Sequence, residues 1–431
     1  MLPIDMPAAD RRSSGPALSR RALALRIGAG ALALPACGTG GRANPARETA
    51  ATSAAGTPPP GRSPTPAPAG QTPPSDQEAV AGIQDTLNRQ AAARAAHDRA
   101  AFVATIDQRN LTWRRIQNEV FDAEQGNPRG PDTFAVTRVQ AKQNGYYKAW
   151  IDVTPAGGRS VAWRVVWVFR PSESGWLHTE ILDEELGARQ TLDTDHFRLS
   201  YYAWDDDTVD RTGRVAEQAY ADVLSKLGTA PSFRSVASVN PTYGAHSALR
   251  GQDTLAVYLP DTKNTIVLRS LESYGAGYVP VAETPEQHLL PAFVHEFTHL
   301  VNDQLVPVVK MQAWMSEGLA EYVAQNYRDD EVRSAYRAGT FLALDRAADV
   351  IEWWTDPARG YTSAQIRLAY GEAALAVTYF VERFGLETFW DLARTFAESR
   401  KWPESFASAT GVSWDQYQSD WLAWLRRRLG L

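Results

Sequence analysis

AFVHEFTHLVNDQLVPVVKMQAWMSEGLAEY, residues 292–322, is the stretch on which the fold turns. Within it His295-Glu296-Phe297-Thr298-His299 spells H-E-x-x-H. Side chains four apart on a helix lie one above the other, so His295 and His299 can aim imidazole nitrogens at one point. Glu296 is turned about 100° from His295 around the helix, close enough to reach a water at a metal without displacing an imidazole. That arrangement predicts a zinc site with a general base. Phe293, Phe297, Leu300 and Val301 form the apolar stripe by which such a helix packs. A core helix with merely hydrogen-bonded histidines would carry the same stripe, so the remaining ligand decides between the two readings.

A catalytic zinc usually keeps three protein ligands and one open position. The seven histidines are His97, His178, His196, His246, His288, His295 and His299, and none follows the motif. A third histidine a few residues on is therefore excluded. The carboxylates that follow within the stretch are Asp303, Glu317 and Glu321. Asp303 lies one turn beyond His299, but a straight helix carries its short side chain away from the point of convergence, so it is better suited to holding an imidazole. Glu317 and Glu321 are again four apart and would share one face of a second helix, where one can bind metal while the other holds an imidazole.

At this point the sequence resembles the gluzincin metallopeptidases. The phrase Trp314-x-x-Glu317-Gly318-x-Ala320-x-Tyr322 is similar to the W-x-x-E-G-x-A-x-Y signature of that clan's aminopeptidase-like and collagenase-like members. The resemblance implies one zinc ion per chain, with His295, His299 and Glu317 as ligands, Glu296 as the base and Glu321 as the acid that orients the first histidine. It also implies a mixed sheet before the motif helix, whose edge strand aligns an extended peptide by backbone hydrogen bonds. The segment Tyr274-Gly275-Ala276-Gly277-Tyr278 is the candidate for that edge or the turn beside it. Farther on, Tyr370-Gly371-Glu372-Ala373-Ala374 resembles the following helix of these peptidases, where a tyrosine donates to the oxyanion. Tyr370 is the position carried over, and Tyr361 is its nearest competitor.

The rest of the chain bounds this reading. A net charge of -6 leaves no basic surplus to neutralise phosphates, which argues against a nucleic-acid binder. The dense run Arg426-Arg427-Arg428 is expected to offset a C-terminal helix dipole. The single cysteine, Cys37, rules out disulfides within the chain. It ends a basic and then moderately apolar stretch, residues 11–37, that resembles a bacterial lipoprotein signal. Pro35 and Arg26 depart from the usual pattern. Ser19-Arg20-Arg21 also looks like a twin-arginine signal, so either export route fits. The expectation is an exported protein held by lipid at Cys37 on the outer face of the bacterial cytoplasmic membrane, acting on a peptide or protein substrate.

In order, residues 1–37 read as the export signal and 38–75, almost wholly Ala, Gly, Pro, Thr, Ser and Arg, as a disordered tether. Residues 76–190 show a helical opening and then alternating runs broken at Asn144-Gly145, Gly157-Gly158 and Ser174-Gly175, which predicts antiparallel strands. This pattern resembles the SnoaL-like cone fold, with Trp150, Trp163, Trp167 and Trp176 more often core filling than a binding box. His178, Glu180 and Asp152 lie here with no spacing that unites them. Residues 191–431 read as the peptidase domain, with Gly228 ending one helix and Thr284-Pro285-Glu286-Gln287 starting the motif helix. The fold class is thus α+β: a mixed sheet and a mostly helical C-terminal half, preceded by a small α+β cone-like domain and the tether. The rival reading is a non-catalytic zincin-fold surface protein that keeps metal for recognition.

Overall fold

The computed structural model describes residues 74–125, 132–156, 162–242, 255–259, 265–273, 279–354, 356 and 358–431. Cys37, the export signal and nearly all of the tether lie outside them. Ser75, placed at the end of the tether, instead caps the first helix: its hydroxyl accepts the N–H of Glu78, and the Glu78 carboxylate accepts the Ser75 N–H in return.

The fold is α+β with a largely helical C-terminal half. Helices α1 (Asp76–Ala95), α2 (Arg99–Val103) and α3 (Leu111–Glu124) precede four antiparallel strands, β1 (Thr133–Ala141), β2 (Tyr147–Thr154), β3 (Trp163–Ser172) and β4 (Gly175–Thr179). A register shift between Val136 and Arg138 bends β1 against β2. Ile83 and Leu87 of α1 pack on Tyr147, Ile151, Trp167 and Trp176. A Cβ at Gly82 would lie 2.2 Å from the Trp176 indole, so only glycine lets α1 approach that ring.

The second sheet holds β5 (Arg189–Asp193), β6 (Phe197–Tyr202), β7 (Ser235–Asn240), β8 (Ala256–Leu259) and β9 (Thr265–Arg269), in the order β5-β6-β7-β9-β8. The inner three strands run parallel and the two edges antiparallel, which makes the sheet mixed as expected. Because β5 pairs along its whole length with β6, this sheet begins at Arg189, and a boundary at 190/191 would cut a strand. Helix α4 (Val209–Leu227) ends at Gly228, whose φ of 68° is the left-handed conformation that closes a helix.

Strand β10 (Val279–Pro280) leaves that sheet and pairs with β3 of the first one. Four residues later Thr284 and Gln287 form a capping box for the motif helix α5 (Pro285–Leu305), which runs through Pro291. The helices that follow are α6 (Ala313–Val323), α7 (Asp329–Ala338), α8 (Leu344–Trp353), α9 (Ser363–Ser399), α10 (Trp402–Thr410) and α11 (Trp414–Leu429). A single apolar core runs from Phe197 through α5, α6 and α9 to Leu429. Arg426, Arg427 and Arg428 do fall in the last turn of α11.

Charged groups join the two units. Lys148 on β2 is fully buried, 3.4 Å from Asp207, which also receives Lys142 at 3.1 Å. Arg211 of α4 binds Glu272 and Glu286, each at 2.5 Å, tying the first turn of α5 to the segment after β9.

Candidate metal centre

Helix α5 brings the motif together because its middle, Ala292–Asn302, is buried on every side, polar residues included. Phe293 and Phe297 stand edge-on to Phe197 of β6 at 5.3 and 5.1 Å, fixing the rotation of the helix on the sheet. The opposite side of the helix then faces α6, where Glu317 and Glu321 sit one turn apart. Gly318 allows a close approach, though to a different helix from the one its position beside the motif suggests. A Cβ there would lie 2.5 Å from the Ala373 carbonyl oxygen, so the contact it permits is between α6 and α9.

His295, His299 and Glu317 are at most 2 % exposed, and they converge. The two Nε2 atoms are 3.1 Å apart, and Glu317 Oε2 is 3.2 Å from that of His295 and 3.4 Å from that of His299. Zinc with bonds of about 2.0–2.1 Å at a tetrahedral centre sets its ligands roughly 3.3 Å apart. The three observed edges match that spacing. The second oxygen of Glu317, Oε1, is buried with no hydrogen-bond partner among the described residues, as befits a group whose partner is an ion. Three fully buried carboxylates, Glu296, Glu317 and Glu321, face one buried guanidinium, Arg328, which leaves negative charge that a divalent cation would offset. The donor set fits zinc.

Neighbouring oxygens face the imidazoles from behind. Ser316 Oγ is 3.3 Å from His299 Nδ1, and Glu321 Oε1 is 3.7 Å from His295 Nδ1, so each imidazole turns its other nitrogen toward an oxygen. Burial opposes charge on His295, but the Glu317 hydrogen bond and the fields of Glu321 and Glu296 outweigh it and push the imidazole up to about 9. Burial raises Glu317 in the same way, and His299 and His295 overcome it, bringing the carboxyl down to about 2. Glu296 is pushed up by burial, only partly countered by the two imidazoles. Its Oε2 accepts the Tyr258 N–H at 2.7 Å.

Residues 274–278 lie outside the described residues, whereas β8, at the rim of the mixed sheet, is the strand that touches the site. Tyr258 also binds Asp303 Oδ2 through its hydroxyl at 3.1 Å, and Asp303 Oδ1 accepts the Val308 N–H. Asp303 therefore holds the end of α5 to β8 and the next loop, and none of its hydrogen bonds reaches an imidazole. Tyr370 on α9 is buried with its ring 6.5 Å from that of His295. Its competitor Tyr361 instead donates to Asp349, away from the centre. Two residues beyond Tyr370, Glu372 is wholly buried, accepts the Leu342 N–H at 2.9 Å and is pushed up to about 9 by burial.

The other chemistry-bearing residues stay dispersed. His178 stacks on Trp167 and Phe169 in the interior of the first unit at 4.7 and 4.8 Å, Asp152 pairs with Arg164, and Glu180 is buried elsewhere. Trp167 and Trp176 fill that core, as expected of them. Among the described residues, His295, His299 and Glu317 form the single grouping of histidine, cysteine and acidic side chains with metal-ligand spacing. Sequence reasoning missed Tyr258, Ser316 and Arg328. Ser316 carries a signal in hindsight, since it directly precedes the ligand on α6, while Tyr258 and Arg328 reach the site only through tertiary packing.

A two-helix centre of two imidazoles and one carboxylate, beside a mixed sheet, is the arrangement the fold defines. The chain matches none of the protein-family models and none of the curated proteins. Among solved structures it overlaps aminopeptidase A of Legionella pneumophila at 13% identity and a TM-score of 0.31, over 68% of this chain and 32% of that one. It overlaps an M1 zinc metallopeptidase of Deinococcus radiodurans at 15% identity and a TM-score of 0.28, over 68% and 60%. The chain thus spans between about a third and three fifths of the length of these structures. Overlaps this loose carry no argument about the site, whose chemistry stands on its own geometry.

Proposed function

We propose that the chain is a zinc-dependent peptidase of gluzincin type. The observation that carries this is the convergence of His295, His299 and Glu317 at 3.1–3.4 Å, with Glu296 on the helix of the two histidines. Bound zinc supplies Lewis acidity, the property that polarises a peptide carbonyl and acidifies water. The protein's own residues do the rest. Glu296, held by the Tyr258 N–H and kept basic by burial, takes the proton of the attacking water as the C–O bond forms. It then gives that proton to the leaving amine as the C–N bond breaks. Tyr370, on the His295 side, is the group positioned to donate to the oxyanion. Ser316 and Glu321 hold the imidazoles in the ligating tautomer.

Export and lipid attachment at Cys37 belong to the same proposal, and so does an accessory role for the SnoaL-like first unit, which recruits or spaces the substrate. Among the described residues no helix is long and apolar enough to cross a membrane. The test is zinc content per chain in the purified protein and its Glu317→Ala variant, followed by a peptide library. One zinc in the parent, a large loss in the variant and cleavage that disappears in Glu296→Gln support the peptidase. One zinc with no cleavage of any library member supports the rival, a zincin-fold protein that uses its metal for recognition.

A further inference from the structure

Arg328 sits at the start of α7 with φ 52° and ψ 37°, in the left-handed region that a non-glycine residue occupies only at a cost. Its side chain is only 1% exposed, yet Nε, Nη1 and Nη2 all lack hydrogen-bond partners among the described residues. A guanidinium offers five donors and keeps its charge when buried, so such a site persists only where a counter-charge compensates it. The nearest carboxylate is Glu321, whose Oε1 lies 3.6 Å from Arg328 Nη2. Glu321 is itself fully buried, with neither oxygen hydrogen-bonded among the described residues, and the same Oε1 lies 3.7 Å from His295 Nδ1. The space has been cleared for this: a Cβ at Gly371 of α9 would come within 3.1 Å of Arg328 Cβ and 3.4 Å of its Cδ.

We infer that Arg328 is a positioning residue of the metal centre, acting through Glu321 on His295. The guanidinium fixes the Glu321 carboxylate between itself and the imidazole. Glu321 then accepts from His295 Nδ1, which leaves the Nε2 lone pair directed at the point shared with His299 and Glu317. The inference rests on the zinc reading above, though not on hydrolysis. The strained backbone at residue 328 is what swings the guanidinium inward, under α9, instead of out to water.

The experiment is zinc affinity, by competition with a chromogenic chelator, in the full chain and in Arg328→Gln, Arg328→Lys, Glu321→Gln and the Arg328→Gln/Glu321→Gln double variant, with near-ultraviolet circular dichroism reporting the fold. Loss of a group that orients a ligand typically weakens metal binding about 10–100-fold. That loss is expected in Arg328→Gln, with most of it restored in Arg328→Lys and no further loss in the double variant beyond Glu321→Gln. If Arg328→Gln does not fold, the double variant, in which no buried charge of the pair is left alone, still decides. Affinity equal to Glu321→Gln supports action through Glu321, and a further tenfold loss overturns it. A lowered melting temperature with unchanged zinc affinity in Arg328→Gln reduces the residue to a structural one and also overturns the inference. Absence of zinc from the parent overturns the zinc reading and this inference together, whereas zinc lost only in Glu317→Ala overturns this inference alone.

Discussion

Replacing Glu372 by glutamine should remove one component of this protein's loss of stability with rising pH. The wild-type carboxyl is pushed up to about 9 by burial, with only the Leu342 N–H opposing the shift, against an ordinary value of 4.5. The native state therefore holds a proton that the unfolded chain releases above about pH 4.5, so the native state binds more protons and stability falls as pH rises. The contribution is fully present below about pH 4.5 and is lost progressively until the pH passes about 9. Each pH unit inside that window removes at most about 1.4 kcal/mol, so roughly 2–3 kcal/mol disappear between about pH 5.5 and 7.5. Glutamine keeps the shape and cannot ionise. Its second amide proton gains no partner there, a cost of about 1–3 kcal/mol that does not depend on pH. Urea unfolding of both proteins at the two pH values, read as the difference of differences, cancels every other titrating group. Glu372→Gln should be the less stable protein at the lower pH and should recover about 2–3 kcal/mol relative to wild type at the higher one. A difference of differences below about 0.5 kcal/mol would mean that Glu372 ionises in the folded protein, and the argument from burial would be wrong.

Other substitutions separate chemistry from architecture. Glu296→Gln should keep one zinc and lose about 10²–10⁴-fold in peptide hydrolysis, and unchanged turnover would remove Glu296 from the mechanism. Tyr370→Phe should leave zinc content and melting temperature within experimental scatter while kcat falls by about 10²-fold or more; equal kcat would make Tyr370 a packing residue. Gly318→Ala pushes a methyl against the Ala373 carbonyl at 2.5 Å and Val377 Cγ2 at 2.8 Å, and the carbonyl cannot rotate away. A loss of about 1–3 kcal/mol in denaturant unfolding is expected, and wild-type stability would show that α6 and α9 slide freely.

Much of the centre was legible because helical spacing is a local property. The two histidines and Glu296 follow from positions four and one apart, and the α6 carboxylates follow the same rule. The alternating runs of the first sheet and the Gly228 stop also needed only near neighbours. What stayed hidden depends on how elements meet. Asp303 looked suited to an imidazole because it lies on the histidine face, but Tyr258 crosses from β8 and takes it. Nor does any local pattern say that β8 meets the motif helix, which is settled by its pairing with β9 and by the Tyr258 N–H on Glu296. Arg328 carries no pattern at all in the sequence, since only the turn between α6 and α7 directs it inward.

The pairing of β10 with β3 has a consequence for how the molecule can be handled and how it can respond. The two hydrogen-bonded residues, Val279 and Pro280, lie just ahead of the Thr284 cap, so the smaller unit splints the root of the helix that bears both histidines. A fragment starting at residue 189 would keep every proposed ligand yet lose that splint, together with Lys142 and Lys148 against Asp207. By the same linkage, a load that shifts the first sheet reaches the base of α5 through two paired residues, although the two units are built on separate apolar cores.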